Sequence, residues 1–131
     1  MKLSFKSFWA VALLILISLS ACTKDDDVKA LSCNLTTAAS EFSNESIDVI
    51  YRLEATGDAK VSSFFYFDET GKVEVQNPSL PTEIQVTLTN QKTIQAGAIG
   101  NVTNGSIKAS YKATALGVHL EGSDFCSQST N

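Results

Sequence analysis

The sequence predicts an antiparallel β-sandwich, and three observations carry that prediction. From Ser46 onward apolar residues recur at every second position. That spacing puts one face of a strand on a core and the other in water. The alternating runs are short, recur at intervals of about ten residues, and are separated by Gly-, Pro-, Asn- and Asp-containing breaks. No segment after residue 21 keeps a helical period. About seven strands are expected, and a small closed β-barrel is the alternative.

Residues 28–45 are rich in Ser, Thr and Asn and read as a lead-in with one short strand near Cys33. From Ser46, Ile47, Val49, Tyr51, Leu53 and Ala55 face one way, and Asp48, Arg52 and Glu54 the other. Gly57-Asp58 marks a turn. Lys60 to Phe67 puts Val61, Phe65 and Phe67 on one parity and Phe64 and Tyr66 on the opposite one. A central strand covered on both faces is the favoured reading. If one parity is exposed instead, Phe64 and Tyr66 form an apolar patch suited to a sugar face, a lipid or a partner protein.

Asp68 to Gly71 reads as a hairpin loop that returns through Val73 and Val75. Pro78 and Pro81 lack N–H donors and break the pattern. Ile84, Val86 and Leu88 then point inward. Thr93 to Ile99 is a weaker strand whose glycines suggest a bulge or a sheet edge. Asn101 to Gly105 is a loop. Ile107, Ala109, Tyr111 and Ala113 alternate with Lys108, Ser110 and Lys112; Leu116, Val118 and Leu120 form the last strand, and Gly122-Ser123-Asp124 leads out of it to Phe125-Cys126. The expected inward set is Ile47, Val49, Tyr51, Leu53, Phe65, Val73, Val75, Ile84, Val86, Leu88, Ile107, Tyr111, Val118 and Leu120.

The N-terminus carries an address. Lys2 and Lys6 precede an almost unbroken apolar run from Phe8 to Leu19. That run is shorter than the roughly 20 residues a bilayer span needs and has the length of a signal-peptide core. Leu19-Ser20-Ala21-Cys22 follows and resembles the lipobox of bacterial lipoproteins. The resemblance implies removal of residues 1–21 and acylation of Cys22, so the chain would meet the membrane through a lipid anchor at Cys22. A plain secretory signal and an N-terminal membrane anchor are the alternatives. Thr23-Lys24-Asp25-Asp26-Asp27 is a solvated tether by composition. It also resembles the start of Bacteroidetes lipoproteins displayed on the outer face of the outer membrane. The alternative is a generic linker, with the domain on the periplasmic face. The expected organisation is therefore a signal peptide over 1–21, a lipidated tether and lead-in over 22–45, and a sandwich domain over 46–131.

Cysteine use agrees with export. Of three cysteines, lipidation takes Cys22, which leaves Cys33 and Cys126 as a disulfide pair in an oxidising compartment. Two free thiols or a metal site are the other readings. The metal reading lacks a CxxC spacing and has a single histidine, His119, to draw on. The balance of 10 basic against 14 acidic side chains argues against nucleic acid as a partner.

Nothing in the pattern forms a catalytic constellation, and no cofactor is expected. His119 lies between Val118 and Leu120 on a strand, where a surface histidine is the ordinary case. Asp58, Asp68, Glu69, Glu74 and Glu83 fall in turns or on solvent-facing positions. Asp68 and Glu69 lack the oxygen-rich loop pattern that calcium requires and read as solvated turn residues. Asn-x-Ser/Thr triplets at Asn34, Asn44, Asn101 and Asn104 are ordinary in Asn- and Thr-rich β loops.

One further resemblance spans about residues 47–122. Tyr51, the Gly57-Asp58-Ala59 turn, the Phe64–Phe67 strand leading to Asp68 and Gly71, Asn77, Leu80-Pro81 and Gly105-Ser106-Ile107 are similar to the exported domain of MmpS-type small membrane proteins. This chain has Thr82 and Glu83 where that family places an aromatic after its Leu-Pro pair. The resemblance implies an immunoglobulin-like sandwich and an accessory role beside an envelope transporter, and it carries over no catalytic residue. The expected function is a lipid-anchored, non-enzymatic accessory or structural subunit of an envelope complex. The alternative is a small glycan- or lipid-binding module on the cell surface.

Overall fold

The computed structural model describes residues 28–131, and these fold as an all-β, antiparallel sandwich. Cys22 and the acidic leader lie outside the described residues. Ten strands run in order: β1 (Leu31–Thr36), β2 (Ser40–Glu41), β3 (Ile47–Gly57), β4 (Lys60–Asp68), β5 (Gly71–Gln76), β6 (Thr82–Leu88), β7 (Thr93–Ile94), β8 (Ala96–Val102), β9 (Gly105–Ala115) and β10 (Val118–Gln128). One sheet has the order β1-β8-β4-β5 and the other β10-β9-β3-β6, while β2 and β7 pair as a two-residue ladder. Neither four-stranded sheet closes on itself, so the barrel alternative is not what forms.

The chain passes directly from one four-stranded sheet to the other at three arches, and twice more by way of β2 and β7. Gly57–Lys60 joins β3 to β4, Asn77–Pro81 joins β5 to β6, and Thr103-Asn104 joins β8 to β9. The first and third sit side by side because Gly57 pairs with Gly105. A Cβ built on Gly57, whose φ is +64°, would meet the Asn104 carbonyl oxygen at 2.0 Å, so only glycine allows this approach. Asp58 ties the two arches together. Its Oδ1 accepts from the Thr103 and Asn104 amides at 3.0 and 2.7 Å, and its own amide donates to the Asn104 carbonyl.

Strand direction gives the sandwich two distinct ends. Leu31 pairs with Val102 and Gln128 with Gly105, so the first strand begins and the last strand finishes at the arch end. The Gln128 side-chain amide donates to the Lys29 carbonyl there. The opposite end carries the β4–β5 hairpin, the β9–β10 hairpin and the β2–β7 pair, with Phe42 and Ile94 buried beneath them.

The core follows the period-two reading on β3, β6 and β9. Ile47, Val49, Tyr51, Leu53, Leu88, Ile107 and Tyr111 are buried. Ile84, Val86, Val118 and Leu120 pack half-buried against that core, and Val73 and Val75 are half-buried on β5. These six sit on β5, β6 and β10, the outer strands of their sheets. From β8 the core receives Ala96 and Ala98. Their small size makes room for the Tyr51, Phe64, Tyr66 and Tyr111 rings, whose centroids lie 5.4 to 6.4 Å apart in successive pairs.

Four expectations are corrected. Phe65 is not inward, and Phe64 and Tyr66 do not form an exposed patch. Phe64 is fully buried, and Tyr66 packs on the core. The cause is a β-bulge. Val61 pairs with Gly100, but Ser63 pairs with Ile99, so Ser62 is an extra residue and the parity reverses after it. β8 is not an edge, since it lies between β1 and β4, but the bulge its glycines also suggest does fall in its ladder, at Ser62 of β4 beside Gly100. Its Gly97 leaves the space that the Phe65 ring fills on the outer face. The last strand does not stop at Leu120 but continues to Gln128, because Gly122 faces inward and the Tyr111 ring occupies the position of its missing side chain. Finally, the sheets take in Leu31–Thr36, with Cys33 and Leu35 in the core, so the sandwich starts inside the lead-in rather than at Ser46.

The disulfide expected between Cys33 and Cys126 is present, with Cα atoms 5.9 Å apart. It joins β1 to β10, the outer strands on one side of the sandwich. Beside it the Asp124 carboxylate accepts the Thr36 amide at 2.9 Å. Two sheet edges are thus closed against each other by a covalent bond and a charge-assisted hydrogen bond.

Candidate binding face

The outward face of the β10-β9-β3-β6 sheet holds a concavity of about 650 Å³. Its shape follows from side-chain size at fixed register. Ser123 on β10 pairs with Ser110 on β9, and Ser110 pairs with Arg52 on β3. Long side chains stand on either side of the serine pair. Phe125, Lys108 and Glu54 form one cross-strand row, and Glu121, Lys112 and Ile50 form the other. Two hydroxyls therefore sit at the bottom of a cup walled by longer residues. The floor is held from beneath by Tyr111. Its ring packs against Gly122, and its hydroxyl bonds Ser40 Oγ at 2.6 Å and donates to the Ala38 carbonyl at 3.2 Å.

Arg52 Nε donates to Glu83 Oε2 at 2.7 Å, and this is the ion pair among the described residues. Both partners are about half exposed, so the pair adds little to stability. Lys108, Lys112, Glu54 and Glu121 make no ion pair among the described residues and keep their hydrogen-bonding capacity. Phe125, two residues past Ser123 on β10 and opposite Lys108, lies on the same outward face just outside the concavity and is 65% exposed. His119 lies two residues beyond Glu121, opposite Thr114, on the same outward face.

The other outward face carries the aromatics that the strand reading placed inside. Phe65 lies over Gly97, Phe67 meets it edge-on at 6.5 Å, and Lys72 Nζ sits 4.2 Å from the Phe65 ring centroid. Contact with Gly97 and Lys72 leaves both rings half-buried. They pack along the sheet surface rather than stand off it.

Each carboxylate singled out in the sequence accepts a hydrogen bond, Asp58, Asp68 and Glu69 from backbone or hydroxyl donors and Glu74 and Glu83 from side-chain nitrogens. Asp68 Oδ1 accepts from the Thr70 hydroxyl and amide within its own turn, and these bonds hold its carboxyl below the usual aspartate range. Glu69 reaches across to the loop after β6. It accepts from the Thr89 hydroxyl at 2.6 Å, from the Thr89 amide, and from the Asn90 amide at 2.9 Å. The Thr89 hydroxyl, then the Asn90 amide, hold Glu69 below its ordinary value of 4.5. Glu74 accepts from Gln76 at 2.8 Å. No group of three or more His, Cys, Asp or Glu gathers among the described residues.

A stability prediction follows for Glu69. Its folded pKa is depressed, so its contribution is present above pH 4.5 and is lost as pH falls through the lower folded value. Glu69→Gln keeps the shape but removes the charge. The variant melts below wild type at pH 7, and that gap closes as the pH is taken well below 4.5. Thermal melts at a series of pH values measure it. A gap that stays constant down the series would show that Glu69 titrates alike in both states.

Deep in the core, the Tyr51 hydroxyl is enclosed without a hydrogen-bond partner among the described residues. Burial pushes its pKa up. The phenol stays neutral and anchors the aromatic cluster.

Alternation alone does not reveal the cup. It depends on the Ser110–Ser123 pairing, and that depends on the strand continuing past Gly122. No protein-family model, curated protein or solved structure matches this chain.

Proposed function

We propose that this chain is a lipid-anchored protein of the outer membrane, displayed at the cell surface, that serves as an accessory subunit and acts by binding rather than catalysis. The observation that supports this most is the placement of the chain ends. β1 begins and β10 finishes at the arch end of the sandwich. A tether from an acylated Cys22 joins that end directly. Residues 22–30, between an acylated Cys22 and the start of β1, reach no more than about 30 Å when extended. The domain then stands close to its membrane with the hairpin end facing away and both sheet faces open at its sides. The concavity it offers is a broad cup on a sheet, and the titratable loop residues are engaged in holding turns.

Two variants test the reading. Cys22→Ser removes the acylation site, so metabolic palmitate labelling disappears and a longer precursor accumulates. Persistence of label in that variant defeats the anchor. Replacing Lys24 to Asp27 with Ala keeps the anchor but removes the leader's charge. Protease shaving of intact cells then degrades wild type and spares the variant. Equal degradation of both would reduce the leader to a linker.

A further inference from the structure

We propose that the cup on the β10-β9-β3 face is a binding site for a neutral, polyhydroxylated ligand, namely an uncharged glycan chain lying along β9 and β10. The inference rests on the reading of the chain as an anchored binding protein and names the ligand class for its open face.

The chemistry of the cup selects the ligand. Its floor offers the Ser110 and Ser123 hydroxyls, each able to donate and accept. Donors and acceptors alternate around it. Lys108 faces Glu54 across one strand pair, and Lys112 faces Glu121 across the other. Neither pair closes into a salt bridge, so each presents a cationic donor and an anionic acceptor at adjacent points. With the Arg52–Glu83 pair included, three cations and three anions stand around the cup, while Asp48 lies farther along β3 on the same face. A polyanion would meet the three carboxylates and a polycation the three cations. A neutral ligand whose hydroxyls both donate and accept meets a partner at every position and suffers no like-charge contact.

Geometry adds a platform. Phe125 is 65% exposed on the same outward face and cross-strand from Lys108. An exposed phenyl beside a ring of hydrogen-bonding groups suits the C–H face of a sugar, which is apolar on its flat side and polar at its rim. Alternate residues on a strand are about 6.8 Å apart, so the line from Glu121 through Ser123 to Phe125 runs about 14 Å. That length holds a short run of sugar units, and the open ends of the cup let a chain continue past it. The half-buried Phe65 and Phe67 of the opposite sheet lack such a ring of paired donors and acceptors, which singles out the β10-β9-β3 face.

The test is affinity electrophoresis of the full protein as the cell makes it, in a sugar-free detergent. The gels contain dextran, yeast mannan, xyloglucan or soluble starch, with alginate and heparin as polyanions. The inference expects retardation by at least one neutral polysaccharide. Phe125→Ala should weaken it roughly tenfold. Ser110→Arg, which fills the cup from an outward position, should abolish it. Both variants should keep the wild-type melting temperature. Glu74→Ala, on the opposite sheet, should bind as wild type. Retardation by alginate or heparin alone overturns the inference, since it would reflect the lysines acting as simple charges. Neutral binding that survives both cup variants also overturns it, as does failure of every polysaccharide to retard the protein. None of these results touches the palmitate labelling and surface display on which the broader reading stands.

Discussion

Val49→Asp unfolds the domain. Val49 is fully buried on β3, with Val86 on one side and Ala113 on the other. Its side chain points into the space between the sheets, where none of the described residues supplies a buried cation to pair with a carboxylate. Burying an unpaired charge there costs several kcal/mol, a large share of the 5–15 kcal/mol that holds a typical domain together. Circular dichroism should show the strand signal lost at room temperature, or a urea midpoint shifted far below wild type. Val86→Asp should act in the same direction but less strongly, because Val86 is half-buried on an outer strand and a carboxylate there can reach water. Gln85→Asp, one residue away and facing outward opposite Ile50, should change little. Thr87 is a poorer control. Its hydroxyl donates to Asp48 at 2.6 Å, and Thr87→Asp would set two carboxylates directly opposite each other, a cross-strand penalty of up to about 1 kcal/mol. If Val49→Asp folds and melts like wild type, the inward assignment of β3 is wrong.

The period-two signal on β3, β6 and β9 identifies their core faces because each of those strands is regular and has one face in water. The same rule misplaces Phe64 and Phe65, since it counts parity from Val61 and cannot register the extra residue Ser62. A bulge leaves no mark in hydrophobicity when both parities carry aromatics, and Phe64-Phe65-Tyr66-Phe67 is such a stretch. Two adjacent serines at 62 and 63 are the weak local sign of it. Glycine is the second source of error. Gly97 and Gly100 suggest an edge strand, and Gly122 suggests a strand end. In the fold their missing side chains are filled by Phe65, Ile107 and Tyr111 from neighbouring strands. Such tertiary compensation cannot be seen in a local window. The cup at Ser110 and Ser123 stayed hidden for the same reason. With the hairpin turn set at Leu116-Gly117 and the strand carried through Gly122, the pairing of those serines follows from counting. The loop carboxylates were legible only as turn residues. That Asp58 and Glu69 each bridge two separate connections depends on which arches and loops lie side by side, a property of topology alone.

Removal of the Cys33–Cys126 bond should produce the second large effect, and it should act on stability without changing the fold. The two cysteines are 93 residues apart, so the bond closes nearly the whole described domain into one loop. On the chain-entropy model, closing a loop of that size restricts the unfolded chain by about 4–5 kcal/mol. For a domain of this size each kcal/mol corresponds to about 4–8 °C, so replacing both cysteines with Ala should lower the melting temperature by roughly 15–40 °C. Strand content should persist, because the β1–β8 and β9–β10 ladders and the Asp124–Thr36 bond do not depend on the bridge. Wild type melted with excess dithiothreitol should fall to the temperature of the double variant. Agreement between those two melts assigns the loss to the bond itself. If the reduced protein falls while the double variant does not, free thiols rather than lost cross-linking are responsible. If neither moves by more than a few degrees, the unfolded chain is already compact and the bond's entropic role is refuted.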